Sequence, residues 1–307
     1  MRRCNFKKKS TALTIGKFGV LHKGHQAMLT KLEEISKQEG LQPIIFSFYP
    51  SPALFFSQNH MRHGRIFSFK LIYKILQKQF NESFGFLLKK FDMQFSQIEP
   101  KKFIKFLAHT LNVKHLIVGE NFYFGKDRSG NIDTLKILCE HYKIKLTIQK
   151  LILLKHEKQL STTQLRNWLL NGEVENFNSH LAFNQKYKII GRVLHGQKLG
   201  AKIGFKTANV HISSKIITPK FGVYACEVYF KNHQIKGIVN IGIKPTVQNK
   251  NSPMAEVHLF DFDKNIYDKE IEIELLHFIR EERKFASIKE LTNQIKSDIV
   301  KCKAIMK

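Results

Sequence analysis

Apolar residues recur along the first half of the chain in short blocks separated by longer stretches of helical period. TALTIG (11–16), PIIFSF (43–48), HLIVG (115–119) and LTIQKLILL (146–154) are compact apolar runs. Between them, apolar positions spaced three and four apart predict helices from about His25, over 67–80, near 100–112 and near 131–142. Strands alternating with helices predict an α/β module built on a mostly parallel sheet, Rossmann-like in its layering. In STTQLRNWLLNG, Ser161 and Gln164 stand at the spacing of a capping box, and Gly172 is placed to end the helix.

A polar stretch around Glu175 to Gln185 then reads as a boundary, giving expected domains of 1–183 and 184–307. Beyond it the texture changes to KYKIIGRVL, KTANVHI, GVYACEVYF, IKGIVNIGI, AEVHLFDF and EIEIELLHFI, separated by Gly, Asn, Lys and Pro. Six such strands with short connections predict a closed antiparallel β-barrel. Ser287 and Glu290 form a second capping-box pattern opening a terminal helix, whose expected apolar face is Ile288, Leu291, Ile295 and Ile299.

Length agrees with two modules, because 307 residues can bury two cores of ordinary size. The 51 Lys and Arg against 25 Asp and Glu leave a formal charge of +26, which favours anionic partners. The excess is dispersed, so charge alone does not choose among nucleotides, nucleic acid and an acidic surface. A basic nucleic-acid-binding protein, with some of the 26 phenylalanines stacking on bases, is the alternative from another class. The chain has neither a helix-turn-helix nor an RNP-like or zinc-like pattern. Cys4, Cys139, Cys226 and Cys302 are widely spaced and suit a reducing cytoplasm. Lys17 interrupts the run after the basic start, and no apolar stretch approaches the roughly 18 residues of a membrane span. The expectation is a cytoplasmic protein with no membrane segment.

The chemistry begins directly after the first strand, in GKFGVLHKGH. Gly16, His22, Gly24 and His25 fall at a strand-to-helix turn, where a parallel sheet opens its ligand crevice and a helix offers free N–H groups to phosphate. Two imidazoles three residues apart can donate to charge developing on a triphosphate. Ser161, Thr162, Thr163 and Arg166 open a later helix with hydroxyls and a guanidinium suited to phosphate. VGENFYFGKDRSG places Asn121 just after a buried strand, where a nucleotide loop belongs.

HxGH after a first strand resembles the nucleotidylyltransferase superfamily. With FSFYPSP, VGENFYFG and STTQLR in that order, residues 11–183 resemble the adenylyltransferase half of prokaryotic bifunctional riboflavin kinase/FAD synthetases. That resemblance implies ATP contacts from Gly16, Phe18, Gly24, Asn121, Ser161, Thr162, Thr163 and Arg166, with His22 and His25 catalytic. The family reads GxFDGxHxGH, and this chain carries Gly19 and Val20 at the aspartate and second glycine, and Ser51 at a common histidine.

GQKLGAKIGFKTANV, FGVYACEV, VNIGIKPTV, AEVHLFDF and IREERKF follow in the order of the riboflavin kinase module over residues 186–300. The resemblance implies Mg²⁺ held at Thr207 and Asn209, ATP contacts from Lys202 and Gly204, and Glu256 as general base. Arg280, Glu282, Lys284 and Phe285 are implied to border the flavin. Ala201 and Lys206 stand where a basic residue and a proline are common. The implied activities are phosphorylation of riboflavin to FMN and adenylylation of FMN to FAD with release of pyrophosphate, with ATP as co-substrate of both. The alternative within this fold is a riboflavin kinase whose first module only binds nucleotide. Oligomeric state is not expressed in these motifs.

Overall fold

β1 (Thr11–Ile15) is buried along its whole length, as befits a central strand covered on both faces. It pairs in parallel with β2 (Gln42–Tyr49) and β4 (Val113–Gly119); β2 pairs with β3 (Gly85–Lys90) and β4 with β5 (Lys145–Gln149), also in parallel. The resulting order, β3-β2-β1-β4-β5, reverses direction between β1 and β4, which is where open α/β sheets place ligands. The computed structural model describes residues 9–56, 65–80, 84–150, 160–195, 204–243 and 253–307. The expected 151–154 end of the fifth apolar run therefore lies outside the described residues.

The helices of this sheet are α1 (Lys23–Glu39), α2 (Pro52–Phe55), α3 (Phe69–Phe80), α4 (Met93–Ser96), α5 (Pro100–Thr110) and α6 (Ile132–His141). Leu13, Ile15, Ile44, Phe46, Leu116 and Val118 pack with Phe103, Ile104 and Leu107 of α5 and Leu135 of α6. On the alternate face, Thr14 Oγ1 meets Met28 Sδ of α1 at 2.7 Å. The period-2 alternation of β1 thus sorts its side chains between two helical layers. Most of the sheet's phenylalanines serve this core or its rim, so their abundance reflects packing.

The second architecture is a closed barrel of β6 (Lys188–Leu194), β7 (Ala208–His211), β8 (Gly222–Phe230), β9 (His233–Ile243), β10 (Pro253–Leu259) and β11 (Glu270–Arg280), in the order β10-β7-β6-β11-β8-β9. All its ladders are antiparallel. Both expected architectures are present, parallel sheet first and barrel second. The chain divides into compact units Met1–Thr162 and Thr163–Lys307. In the second unit, α7 (Thr162–Asn171) is followed by Gly172 at φ +83°. Lys220 N donates to Leu169 O at 3.1 Å. The polar stretch around the expected boundary forms α8 (Val174–Ser179) and a 3-10 turn (Ala182–Asn184), with Val174, Phe177 and Ala182 buried. Asn178 Nδ2 donates to Leu275 O of β11 at 2.8 Å, so the polar residues satisfy barrel backbone instead of forming a spacer.

The terminal helix α9 (Ile288–Ile305) begins at Ser287, whose hydroxyl accepts from Glu290 N at 3.2 Å. The return half of the box lands one residue earlier, Glu290 Oε2 accepting from Ala286 N at 3.1 Å. Ile288 is 62% exposed and does not join the packed face; Asp298 and Cys302 do, at 1% and 0% exposure. Arg280 Nε donates to Asp298 Oδ2 at 2.9 Å, and Gln294 Nε2 to Asp298 Oδ1 at 2.6 Å. Asp298→Ala strands the guanidinium beside an apolar gap, and the expected loss is about 3 kcal/mol. A urea titration against the unsubstituted chain reads it as a lowered midpoint.

Candidate active sites

The turn after β1 is arranged around the ring of His22. His22 is the N-cap of α1, in extended backbone, and its Nδ1 accepts from Gly24 N at 3.1 Å and His25 N at 3.4 Å. The His22 N–H in turn donates to His25 Nδ1 at 3.5 Å, so an imidazole pair performs the reciprocal capping usually made by a hydroxyl and a carboxylate. The rings lie 3.9 Å apart, and Phe18 covers His25 at 4.8 Å. A Cβ at Gly24 would come within 3.0 Å of His22 Nδ1 and Cε1; the glycine between the histidines is what lets the ring fold back over the helix start. Gly16 lies under the Phe18 ring.

Because His22 Nδ1 accepts from two backbone N–H groups, its Nε2 carries the proton and is the donor. Burial pulls the His22 pKa down to about 4. Burial also holds His25 well below its ordinary value, reinforced by His22 and opposed by a hydrogen bond to the Val20 backbone. Neutral donors stabilise developing negative charge without titrating near pH 7. The folded state binds fewer protons than the unfolded chain between pH 6.5 and about 4, so stability contributed by this turn is present above 6.5 and lost as pH falls through that window. At about 1.4 kcal/mol per unit, His22 alone accounts for about 3 kcal/mol. Thermal unfolding at pH 7 and pH 4.5 measures this, and His22→Asn, which keeps a capping side chain, flattens the dependence.

The departures from the family pattern have local explanations. Val20 is fully buried and is not among the positive-φ residues; Phe18 carries the positive φ, +26°. The loop therefore requires no glycine at Val20, and its side chain belongs to the core. Gly19 offers its carbonyl to Phe67 N at 3.1 Å. Ser51 caps α2, its Oγ accepting from Leu54 N at 3.3 Å. After β4, Gly119 approaches Met28 Cε of α1, so the ends of β1 and β4 frame the start of α1. Asn121 is exposed just beyond, and Phe122 stacks on Phe124 at 5.4 Å.

Ser161 immediately precedes α7; Thr162, Thr163 and Arg166 lie in its first turns. Burial lowers the pKa of the Arg166 guanidinium, which remains charged at any ordinary pH.

On the barrel, Glu256 of β10 stands in register opposite Asn209 of β7 and Asn240 of β9. Directly opposed residues share a face, and the alternate positions Ala255 and Val257 are fully buried. The row Asn209, Glu256, Asn240 therefore lies on the face opposite the packed residues. Thr207 Oγ1 donates to Glu256 Oε1 at 2.9 Å. Asn240 Nδ2 donates to Glu282 Oε1 at 2.9 Å, and a Cβ at Gly242 would collide with that same oxygen. Gly242 thus admits Glu282 against the β9 backbone. Asn240 and Gly242 were missed as site residues, although a polar Asn among the apolar positions of VNIGI is a readable signal.

Arg280 is engaged by Asp298, with Phe285 at 5.8 Å and Arg283 4.6 Å over the same ring. Lys284 is exposed. Lys206, at the family's proline position, pairs with Asp263 instead of standing unpartnered, and that contact lowers the Asp263 pKa. Its carbonyl lies 2.8 Å from His258 Nδ1. Gly204 adopts φ +87° just before this segment; Ala201 and Lys202 lie outside the described residues. Thr207, Asn209 and Glu256 present hard oxygen donors of the kind Mg²⁺ accepts. Among the described residues no group of three His, Cys, Asp or Glu side chains is placed to hold a metal ion.

Family models for FAD synthetase and riboflavin kinase match residues 5–164 and 183–306. The bifunctional riboflavin kinase/FMN adenylyltransferase of Buchnera aphidicola subsp. Schizaphis graminum is 37% identical over 300 residues, covering 96% of this chain and 94% of the relative. The protein of the same name from Bacillus subtilis is 35% identical, covering 94% and 90%. A crystal structure named as a macrolide-efflux protein from Streptococcus pneumoniae shares the fold at TM-score 0.84 and 24% identity, covering 95% and 93%. At that identity the likeness concerns architecture, and no helix among the described residues is long and apolar enough to cross a membrane. With both halves matched in order and relatives aligned along nearly their full length, this chain belongs to the bifunctional riboflavin kinase/FMN adenylyltransferase family.

Proposed function

We propose that the chain converts riboflavin to FMN on the barrel and FMN to FAD on the parallel-sheet unit, consuming one ATP in each step. The observation that carries the kinase half is the Thr207–Glu256 hydrogen bond beside Asn209. Glu256 takes the proton of the riboflavin 5′-hydroxyl as that oxygen attacks the γ-phosphorus, and ADP leaves. Thr207 and Asn209 would hold Mg²⁺, which would supply positive charge to offset that of the phosphates. Gly204 and Lys202 contact ATP in this reading, while Arg280, Glu282, Lys284 and Phe285 border the flavin.

In the first unit the FMN phosphate attacks the α-phosphorus of ATP and pyrophosphate departs. His22, through Nε2, and His25 beside it stabilise the charge that develops; Gly16, Phe18, Gly24 and Asn121 shape the nucleotide site. Ser161, Thr162, Thr163 and Arg166 contribute phosphate contacts from the start of α7. We place the functional division at 183/184 and the enzyme in the cytoplasm, a location compatible with the buried free thiols of Cys139, Cys226 and Cys302. Incubating the purified protein with riboflavin and Mg-ATP and following products by chromatography tests the reading: FMN appears first and FAD follows. FMN accumulating without FAD would leave a kinase with a nucleotide-binding first module, and neither product would refute both assignments.

A further inference from the structure

The histidines after β1 are held neutral, so they bring hydrogen bonds but no full positive charge to a reaction between polyanions. The first unit contains a guanidinium prepared for that task. Arg65 Cζ lies 4.7 Å from the ring centroid of Tyr49 and 4.7 Å from that of Phe69, and those two rings meet edge to face at 5.8 Å. Stacking on aromatic faces leaves the planar N–H edge of a guanidinium available for a bidentate oxyanion. Carboxylates are absent from its contacts among the described residues, in contrast to Arg280 with Asp298.

Its place is equally specific. Tyr49 is the last residue of β2, at the carboxyl edge of the parallel sheet, opposite Lys90 of β3. Two residues beyond Arg65, Phe67 N donates to Gly19 O at 3.1 Å, which ties the Arg65 segment to the loop leading into His22. Arg65 itself is partly buried and Tyr49 is 41% exposed, so the pair is ordered yet reachable.

We infer that Arg65, gripped by Tyr49 and Phe69, is an oxyanion-binding residue of the adenylyltransferase site that takes a phosphate group of FMN or of ATP. This inference rests on the adenylylation reading above. The experiment compares Arg65→Ala and Arg65→Lys with the unsubstituted full-length protein, using riboflavin phosphorylation in the same preparations as the control for folding. A charge-assisted contact of this kind predicts a rise in KM or a fall in kcat/KM for adenylylation of about 10- to 100-fold in Arg65→Ala. Arg65→Lys falls between, because lysine keeps the charge and loses the fork. A rise confined to KM for FMN assigns the phosphate of FMN, and one confined to KM for ATP assigns the triphosphate; either supports the inference. Values for both substrates within twofold of the unsubstituted protein overturn it. Calorimetric titration with inorganic pyrophosphate separates this inference from the reading beneath it. If the unsubstituted protein forms no FAD, the adenylylation reading fails, and unchanged pyrophosphate binding in Arg65→Ala would then overturn the role of Arg65 as well.

Discussion

Glu256→Gln lowers riboflavin phosphorylation by about 10²- to 10⁴-fold, the range of a lost general base, and leaves adenylylation of supplied FMN at its original rate. The amide preserves the volume of the side chain and can still accept from Thr207, whose hydroxyl lies 2.9 Å from Glu256 Oε1. What disappears is the basic oxygen that receives the 5′-hydroxyl proton. Because Ala255 and Val257 keep the strand packed from its other face, the barrel retains its stability. Initial rates of FMN formation, with circular dichroism as the check on folding, decide the matter; a rate within threefold of the original would remove Glu256 from the mechanism.

His25→Ala produces the complementary defect, a loss of about 10²- to 10³-fold in FAD formation from FMN, as expected for removing one preorganised donor from a developing charge. FMN formation from riboflavin continues. The helix start survives, because His22 Nδ1 still caps Gly24 N at 3.1 Å. The lost group is the imidazole packed against Phe18 and His22. Restoration of the rate by raising FMN or ATP would show His25 to be a binding group alone, and an unchanged kcat would end its catalytic assignment.

Strong local periodicity made most of the architecture legible. β1, β2, β4, the six barrel strands and α3, α5 and α6 fall where apolar spacing placed them, because each buries a face whose period is set by backbone geometry. β3 escaped notice: Gly85–Lys90 ends in two lysines and has an edge strand's weak pattern. The stretch 175–185 reads as polar, yet it folds into α8 and a 3-10 turn, because side chains such as Asn178 bond to barrel backbone at Leu275. At the sites, chain-local features were readable. His22, Gly24 and His25 act within one turn, and so could be read together. Asn240 with Glu282, Arg280 with Asp298, and Arg65 between Tyr49 and Phe69 depend on residues far apart in sequence, which periodicity does not pair.

The central claim is that one chain carries two separate sites in sequence. Mixing Glu256→Gln with His25→Ala protein, in the presence of riboflavin and Mg-ATP, tests it most directly. Neither variant alone turns riboflavin into FAD at an appreciable rate. The mixture does, since His25→Ala protein supplies FMN and Glu256→Gln protein adenylylates it. A mixture in which FMN accumulates and no FAD forms, or a single variant that makes FAD from riboflavin at the original rate, would contradict the account.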